Sequence, residues 1–353
     1  MKVLVINPGS TSTKIAVYED DREIFSVKVE HAKEALDAIP TIAAQYPLRL
    51  EAVKSAMRQG GVPSTELSAV AGRGGHLPRR LQSGAYRVND AMIDTLLHRP
   101  AIEHAANLGA ILAYHLAQPL GIPSFIYDPI SVDELDDIAR LSGMADIERK
   151  SAWHALNSRA VAMRCAAAIG TPYRDANLLV AHLGGGISVS VHKHGRVVDM
   201  LRDDEGSFSP ERAGRVPCGD LLELCYTVDR DTMRKKLRGR GGLVSYLGTA
   251  NALEVEERIA GGDARAKLVY EALAYQIAKG IGDQATVLKG DVDAIALTGG
   301  LACSAMITGW IRERVEFIAP VHVFPGENEL QALAQGALRV LRGEEVAHDY
   351  EAG

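Results

Sequence analysis

The chain has 353 residues, 47% of them hydrophobic and 24% charged, which is enough for two globular domains with ordinary cores. Its formal net charge of −6 provides no basic face for nucleic acid, and no apolar run is long enough to span a membrane. The four cysteines have neither metal-ligand nor disulfide spacing, and a strand predicted from residue 3 leaves no room for a signal peptide, so we expect a cytoplasmic protein.

The first half of the chain is predicted to open with a hairpin. A strand over residues 3–6 runs into a small-residue turn, residues 7–14, and returns as a strand over residues 15–18. The further elements predicted in this half are a third strand at 24–30, helices at 32–44, 50–59, 90–97, 103–116 and 151–169, and strands at 67–71 and 124–127.

The second half repeats this scheme, beginning with a strand at residues 178–181, a glycine-rich tip and a returning strand at 187–191. The elements that follow are a strand at 196–200, helices from 219, a long helix at 264–288, strands at 294–297 and 321–324, and a last helix at 329–341. We therefore predict an α/β protein of two related domains, 1–172 and 173–345. The last helix is able to pack back on the first domain, and residues 346–353 form a tail that frays.

Both hairpin tips are candidate phosphate sites, because glycine lets the backbone N–H groups approach phosphate oxygens closely. In the first tip, Asn7 could orient a phosphoryl oxygen or a magnesium-bound water, and Ser10, Ser12 and Lys14 could donate to phosphate. An ordinary turn is the alternative, and the repeat favours the functional interpretation.

The second tip places three consecutive glycines, Gly184, Gly185 and Gly186, directly after His182 and Leu183. This run favours backbone approach to a phosphate over a simple glycine bulge.

Another glycine pair, Gly299 and Gly300, follows a short buried strand. The carboxyl ends of such strands are where α/β sheets bind ligands, and the pair suits contact with a flat base or a ribose.

Two arginines in loops are candidate clamps for a transferring phosphoryl group, because the guanidinium fork matches phosphate and stays charged. They are Arg73, between glycines, and Arg212, with Arg215 as an alternative to the latter.

Asp128 ends a buried strand, where it could hold magnesium or accept a proton, although Asp-Pro also simply starts turns. His154 could hydrogen-bond a phosphoryl group, and Trp153 could offer apolar surface to a small substrate. A core histidine beside a packing tryptophan is an equally good interpretation of this pair.

Taken together, the motifs resemble those of the butyrate kinases, within the family of acetate and butyrate kinases. The motifs that carry this resemblance occur in order along nearly the whole chain, at residues 7–14, 182–189, 209–214, 241–249, 298–302 and 325–337. The resemblance implies a duplicated ribonuclease-H-like fold of the actin-like ATPase superfamily, with a five-stranded mixed sheet in each domain and a cleft between the domains.

The implied activity is reversible, ATP- and Mg²⁺-dependent phosphorylation of a short-chain carboxylic acid, butyrate or a branched relative, to its acyl phosphate. By the same resemblance we expect a homodimer or a larger homo-oligomer, with no nucleic-acid or membrane partner.

The resemblance also assigns roles to individual residues. The implied catalytic residues are Arg73, Asp128 and His154, and the second arginine of the family would be replaced by Arg212 or Arg215. The implied nucleotide-binding residues are Asn7, Ser10, Ser12, Lys14, His182, Gly184, Gly185, Gly186, Gly299 and Gly300. Magnesium is assigned to Asn7, Asp128 and Glu327, with Glu329 as the alternative register, and Trp153 and Pro210 are expected to line the acyl pocket.

One position departs from the family pattern. Acetate kinases have an arginine directly before a Cys-Gly-Asp triplet, whereas Pro217 precedes that triplet here. Two alternatives stay open: an acetate or propionate kinase, and an actin-like ATPase that works as a switch or chaperone.

Overall fold

The computed structural model describes residues 1–351, which form two compact units. The first unit comprises Met1–Asp133, Ala155–Asn157 and the chain from Asn328 onward, and the second comprises Glu134–His154 and Ser158–Glu327. Among the described residues, every helix is too short or too polar to cross a membrane.

Each unit is built on one mixed sheet. The strands of the first unit are β1 Lys2–Pro8, β2 Ser12–Glu19, β3 Arg22–Glu30, β4 Ala69–Arg73, β5 Ala85–Arg87, β6 Ser124–Tyr127 and β12 His348–Asp349. Those of the second unit are β7 Asn177–Leu183, β8 Ile187–Lys193, β9 Arg196–Leu201, β10 Ala294–Gly299 and β11 Val321–Pro325.

The two sheets share a five-stranded plan. The order is β6-β4-β1-β2-β3 in the first unit and β11-β10-β7-β8-β9 in the second. In both, the three strands of the hairpin region are antiparallel and the other two run parallel to the first strand. The predicted duplication is therefore confirmed, but the first sheet has seven strands, because the short strands β5 and β12 extend its edge.

Thirteen α-helices cover these sheets within the described residues. They are α1 Lys33–Asp37, α2 Tyr46–Gln59, α3 Asp90–His98, α4 Asn107–Ala117, α5 Asp137–Arg140, α6 Ala155–Ala168, α7 Cys218–Cys225, α8 Arg230–Leu237, α9 Gly242–Leu247, α10 Ala252–Ala260, α11 Ala264–Ala285, α12 Ala305–Val315 and α13 Glu329–Leu341.

Strands that are covered on both faces have nearly continuous apolar sequences, and β1 is an example. Leu4 and Ile6 join the core formed with Leu108 and Leu112 of α4, and α13 also packs on β1. In the second unit, Leu273 and Ile277 of α11 enter the core beneath β7 and β8. The central strand of each sheet is thus fixed rigidly, and the tip that follows it starts from a defined position.

The domain boundary predicted at 172/173 differs from the division into units. Most of α6 belongs to the second unit, because Val161 and Cys165 pack against Leu178 and Val180 of β7. The last helix, α13, belongs to the first unit, where it packs on β1, β4 and β6.

The prediction that residues 346–353 fray is wrong for the described part of that segment. β12 pairs with β5, Tyr350 is buried in the core of the first unit, and Asn89 donates to the Tyr350 carbonyl. One buried tyrosine in a polar stretch is too weak a sequence signal to predict this docking. Residues 352 and 353 lie outside the described residues.

Candidate functional site

The carbonyl groups of the first hairpin tip, between β1 and β2, accept hydrogen bonds from other residues of the protein. The Gly9 and Ser10 carbonyls accept from Arg49, and the Thr11 carbonyl accepts from the backbone N–H of His31. The Ser12 carbonyl accepts from both Arg49 and the Gly9 N–H. Four successive carbonyls are therefore satisfied without help from solvent.

The N–H groups at the same tip are available to a ligand. Ser10 and Thr11 are exposed, and within the described chain neither of their N–H groups has an acceptor. A concave run of such donors is a typical anion site. Lys14 lies directly across the hairpin from Asn7, so both side chains project from the same face of the sheet.

Next to the tip, Glu329 links two residues that the sequence analysis singled out. The amide of Asn7 donates to Glu329 Oε2 at 2.7 Å, and Arg73 NH1 lies 3.2 Å from Glu329 Oε1. The side chain of Arg73 is only 11% exposed. The structure therefore selects Glu329, and not Glu327, as the glutamate beside Asn7 and Arg73.

Arg73 is positioned by close packing of its strand on α4. A Cβ at Gly72 would lie 2.1 Å from the Gly109 carbonyl oxygen, and a Cβ at Gly109 would lie 2.3 Å from the Arg73 carbonyl oxygen. Only glycine fits at either position, so helix and strand backbones touch just where Arg73 leaves the sheet.

Two histidines that the sequence analysis left without a role also belong to this region. The rings of His76 and His104 meet edge to face at 5.3 Å. Burial lowers the pKa of both, and the positive charge of Arg73 lowers each further. Both imidazoles are consequently biased towards the neutral form.

Asp128 follows β6 and is 1% exposed, with a left-handed backbone (φ 41°). Its Oδ1 accepts from the Gly84 N–H at 2.7 Å, and its own N–H donates to the Gly84 carbonyl. Both bonds join Asp128 to Gly84, so they tie the end of β6 to the segment that precedes β5.

Magnesium prefers oxygen ligands and often takes one or two carboxylates, with phosphate and water completing its shell. The first unit supplies donors of this kind in Asn7, Asp128 and Glu329. In the part of the chain that the structure describes, no three His, Cys, Asp or Glu side chains cluster as a metal cage. Asn7 and Glu329 thus offer neighbouring oxygens to a magnesium ion whose shell substrate phosphate would complete, and Asp128 offers a carboxylate in the same unit.

In the second unit, a histidine stack lies beside the glycine tip. His154 precedes α6, stacks on His182 with ring centroids 3.8 Å apart, and approaches Ser188 Oγ at 3.1 Å. His182 is 2% exposed, and its Nε2 lies 3.5 Å from Glu327 Oε1. Two predicted phosphate-contacting residues, His154 and His182, therefore meet, and Glu327 belongs with them.

The second tip, between β7 and β8, depends on the absence of side chains. A Cβ at Gly186 would lie 2.3 Å from Arg212 NH1, whereas a Cβ at Gly185 would meet only Glu211 at 3.8 Å. The Gly185 carbonyl accepts from Ser209 Oγ at 2.6 Å. Arg212 thus lies against the tip, and its role as the second clamp stays a prediction.

Arg212 is held by Asp203, a 10% exposed carboxylate that also binds Arg238. Arg215, the alternative clamp, instead binds the Glu205 carbonyl and Asp283. Geometry therefore favours Arg212.

The glycine tip and the Gly299–Gly300 motif line the same cavity of about 370 Å³. The residues that form its wall are Gly184, Gly185, Pro210, Glu211, Ala250, Asn251, Ala252, Leu253, Gly300, Leu301 and Glu327. Gly299 has φ 92°, and a Cβ there would lie 2.4 Å from the Leu183 carbonyl oxygen, so only glycine lets β10 end against the tip.

The two residues expected in the acyl pocket are placed differently. Pro210 lines the cavity of the glycine motifs, and Trp153 is not among its wall residues. Trp153 is 7% exposed and packs edge to face on His192, which supports the packing interpretation. Pro217, the position that departs from the family pattern, precedes the first turn of α7.

Sequence reasoning missed Arg49 and the wall segment Ala250–Leu253. Arg49, Val53 and Met57 recur every four residues on the buried face of α2, so an arginine in an apolar stripe was the available signal. The wall segment carries no charged or glycine motif that would have marked it.

Comparisons with known proteins agree with this geometry. The sequence profile of the Acetokinase family matches residues 145–323, just over half of the chain. The structure is similar to that of acetate kinase from Porphyromonas gingivalis, with a TM-score of 0.79, 20% identity, and coverage of 96% of this chain and 99% of the other.

Two further solved structures extend the comparison. For a propionate kinase from Francisella tularensis subsp. tularensis the TM-score is 0.72 at 17% identity, covering 95% and 98% of the two chains. For a ROK hexokinase from Thermus thermophilus it is 0.51 at 17% identity, covering 96% and 100%. These similarities confirm the predicted actin-like ATPase fold with ribonuclease-H-like sheets.

Proposed function

The chain belongs to the acetokinase family, and from this membership we propose that it reversibly transfers the γ-phosphoryl group of ATP to a short-chain carboxylic acid. The family supports a kinase with a carboxylate acceptor, ATP as donor and a divalent metal. The observation that carries the proposal is the cavity in the second unit, where two glycine motifs from distant parts of the sequence meet beside Glu327.

The reaction needs little proton chemistry from the protein. A carboxylic acid is already ionised near pH 7, so its oxygen attacks the γ-phosphorus directly while the bond to the ADP oxygen breaks. The main task is to bring two anions together and to stabilise charge on the equatorial oxygens. Asp128 is therefore proposed as a residue that orients ligands, and not as a strong base.

Each unit offers groups for that task. In the first, the N–H groups of Ser10 and Thr11 are proposed to bind phosphate oxygens, and Arg73 to stabilise the transferring phosphoryl group. In the second, Arg212 and His154 are proposed to bind phosphoryl oxygens. When bound, magnesium would neutralise phosphate charge, and Asn7, Asp128 and Glu329 would hold it.

We propose an acid of four or five carbons, butyrate or a branched relative, as the preferred acceptor. The support is the resemblance of the motifs and the proline at 217. Acetate and propionate are supported equally by the similar structures, and each methylene changes binding by only about 1 kcal/mol, so overlap is expected. A homodimeric state and a cytoplasmic location remain predictions.

The test is hydroxamate trapping of acyl phosphate with ATP, Mg²⁺ and straight and branched acids of one to six carbons. We expect a signal that peaks at four or five carbons and falls at least 100-fold in Arg73→Met, because a charge-stabilising donor is lost. Arg58→Met is the control, since Arg58 is exposed on α2.

A peak at two or three carbons would make the enzyme an acetate or propionate kinase. Steady ATP hydrolysis without acyl phosphate from any acid would refute the carboxylate kinase and favour a switch ATPase.

A further inference from the structure

A fully buried arginine lies behind the first tip without a carboxylate partner. Arg49 is 0% exposed, and among the described residues no Asp or Glu side chain forms an ion pair with it. Burying a charge is costly unless hydrogen bonds compensate, and an apolar side chain at this position would leave carbonyls of the tip without their donor. The role of Arg49 therefore follows from what its guanidinium binds.

The hydrogen bonds of Arg49 converge on the tip. NH1 donates to the carbonyls of Gly9 and Ser12, at 2.8 and 3.1 Å, and to Thr13 Oγ1 at 3.3 Å. NH2 donates to the Ser10 carbonyl at 2.8 Å. One planar fork therefore fixes the orientation of three carbonyls at once.

The remaining donors of Arg49 anchor it to its own side of the fold. Nε and NH2 both donate to Oε1 of Gln45, which lies four residues before Arg49 in the chain, at 3.2 and 2.9 Å. Thr13 Oγ1 lies 2.9 Å from His31 Nε2, so the acceptor of the third NH1 bond is itself held. The guanidinium is thus locked from both sides.

Turning carbonyls inward has a direct consequence for the opposite surface of the tip. Carbonyl oxygens that face a ligand would repel phosphate, and here those of Gly9, Ser10 and Ser12 face the guanidinium. The Ser10 and Thr11 N–H groups are left for an anion. The positive charge also attracts that anion, and because Arg49 is fully buried, solvent screens its charge less than that of a surface arginine.

We propose that Arg49 is the residue that positions the first tip for the phosphates of ATP. It does so by holding three carbonyls inward and by placing an uncompensated positive charge behind the N–H groups of Ser10 and Thr11. This inference rests on the proposed function only in taking ATP as the ligand of the tip.

The test compares Arg49→Met with Arg58→Met, an exposed arginine on the same helix. Thermal unfolding first establishes that each variant is folded, and the dissociation constant for Mg·ATP is then measured by calorimetry. We expect Arg49→Met to weaken ATP binding at least tenfold and Arg58→Met to leave it within twofold. Arg49→Lys keeps the charge and loses the fork, so it should fall between them.

Steady-state kinetics separates positioning from a general loss of structure. The KM for ATP should rise in Arg49→Met, with the KM for the acid changing less than threefold. A folded Arg49→Met with wild-type ATP affinity would overturn the proposal, as would an equal rise of both KM values.

Gln45→Met covers the case in which Arg49→Met does not fold. It removes two hydrogen bonds from Arg49 and leaves the charge in place. We expect ATP to bind at least threefold more weakly. Unchanged ATP affinity in folded Gln45→Met would reduce Arg49 to a structural contact and overturn the proposal.

The hydroxamate assay on the wild-type enzyme distinguishes the two failures. If no acid is phosphorylated, the proposed function fails, and the ATP-binding comparison still decides the role of Arg49. If acids are phosphorylated while ATP affinity is insensitive to Arg49, only the further inference fails.

Discussion

The two hairpin tips end equivalent strands of the repeated sheets, but different chemistry supports them. The first is held by Arg49, a buried cation whose partners are carbonyls and neutral side chains. The second is held by the hydroxyl of Ser209, and the nearby Arg212 is balanced by Asp203.

The difference shows that one strand plan can hold its hairpin tip in two ways. At the first tip, backbone N–H groups are available as donors because the carbonyl groups are hydrogen-bonded to the charged guanidinium of Arg49. The second tip has a glycine, Gly186, where a side chain would collide with Arg212. We therefore expect the first tip to respond to loss of charge and the second to added side-chain volume.

The largest expected effect comes from Gly299, which abuts the second tip. Gly299→Ala should destabilise the protein by about 3 kcal/mol or more, because the new methyl group would combine backbone strain with a collision against the Leu183 carbonyl. Gly290 is the matched control: its φ is also positive, at 81°, but nothing lies within 4 Å of a Cβ there. Gly290→Ala should cost about 1 kcal/mol. If urea unfolding shows the same loss of stability in Gly299→Ala and Gly290→Ala, then contact with the second tip does not contribute to the effect.

A side chain at Gly186 should displace Arg212 from the second tip. We expect kcat in Gly186→Ala to fall about 100-fold, since one donor to the transferring phosphoryl group moves away. In Gly185→Ala, one residue earlier, the new methyl group makes only an ordinary contact with Glu211 at 3.8 Å, so this variant should lose less activity. If the two variants lose the same activity, Arg212 does not act through its contact with this tip.

Lowering the pH should change the stability of the protein by different amounts through the buried histidines of the two hairpin regions. His192, on β8, bonds to the Tyr173 and Ser190 hydroxyls, and burial lowers its pKa from 6.5 to about 3. Between pH 6.5 and pH 3, the imidazole of His192 is therefore protonated in the unfolded chain and neutral in the folded protein. The free energy of unfolding is accordingly highest above pH 6.5 and decreases as the pH falls towards 3. The expected loss is about 2 kcal/mol between pH 6.5 and pH 5.

The matched variants for this pH effect are His192→Gln and His31→Gln. The pKa of His31, in the first unit, is also lowered, by burial and then by the charge of Arg49. His192→Gln should remove most of the pH slope seen in urea unfolding, and His31→Gln a smaller part. A slope unchanged in His192→Gln would contradict the assignment.

The smallest expected effect concerns Ser209. Ser209→Ala removes two neutral hydrogen bonds, one donated to the Gly185 carbonyl and one accepted from the Arg212 N–H, and should cost about 1 to 2 kcal/mol in urea unfolding. A loss of several kcal/mol would mean that the second tip, like the first, depends on one side chain.

The sequence predicted the repeat well because it is carried by local patterns. Apolar strands flanking small-residue tips occur at equivalent places, and the predicted strand at 124–127 and helix at 329–341 have the observed bounds. Features made by distant residues were harder to predict. Arg49 is separated from the tip by more than thirty residues, and only the folded chain brings its fork to those carbonyls.

The choice between Glu327 and Glu329 also depended on contacts that only the folded chain makes. Only one residue separates them in the chain, but Glu327 precedes α13 and belongs to the second unit, whereas Glu329 begins α13 and belongs to the first. No local pattern reports where a helix of the last segment will dock.

The most direct test of the central claim is the ratio of ADP to acyl phosphate formed by the wild-type enzyme with ATP, Mg²⁺ and butyrate. If the protein is a carboxylate kinase, ADP and acyl phosphate should appear in equal amounts, and ADP formation should nearly stop when the acid is omitted. ADP released at the same rate with and without acid, and without acyl phosphate, would contradict the account.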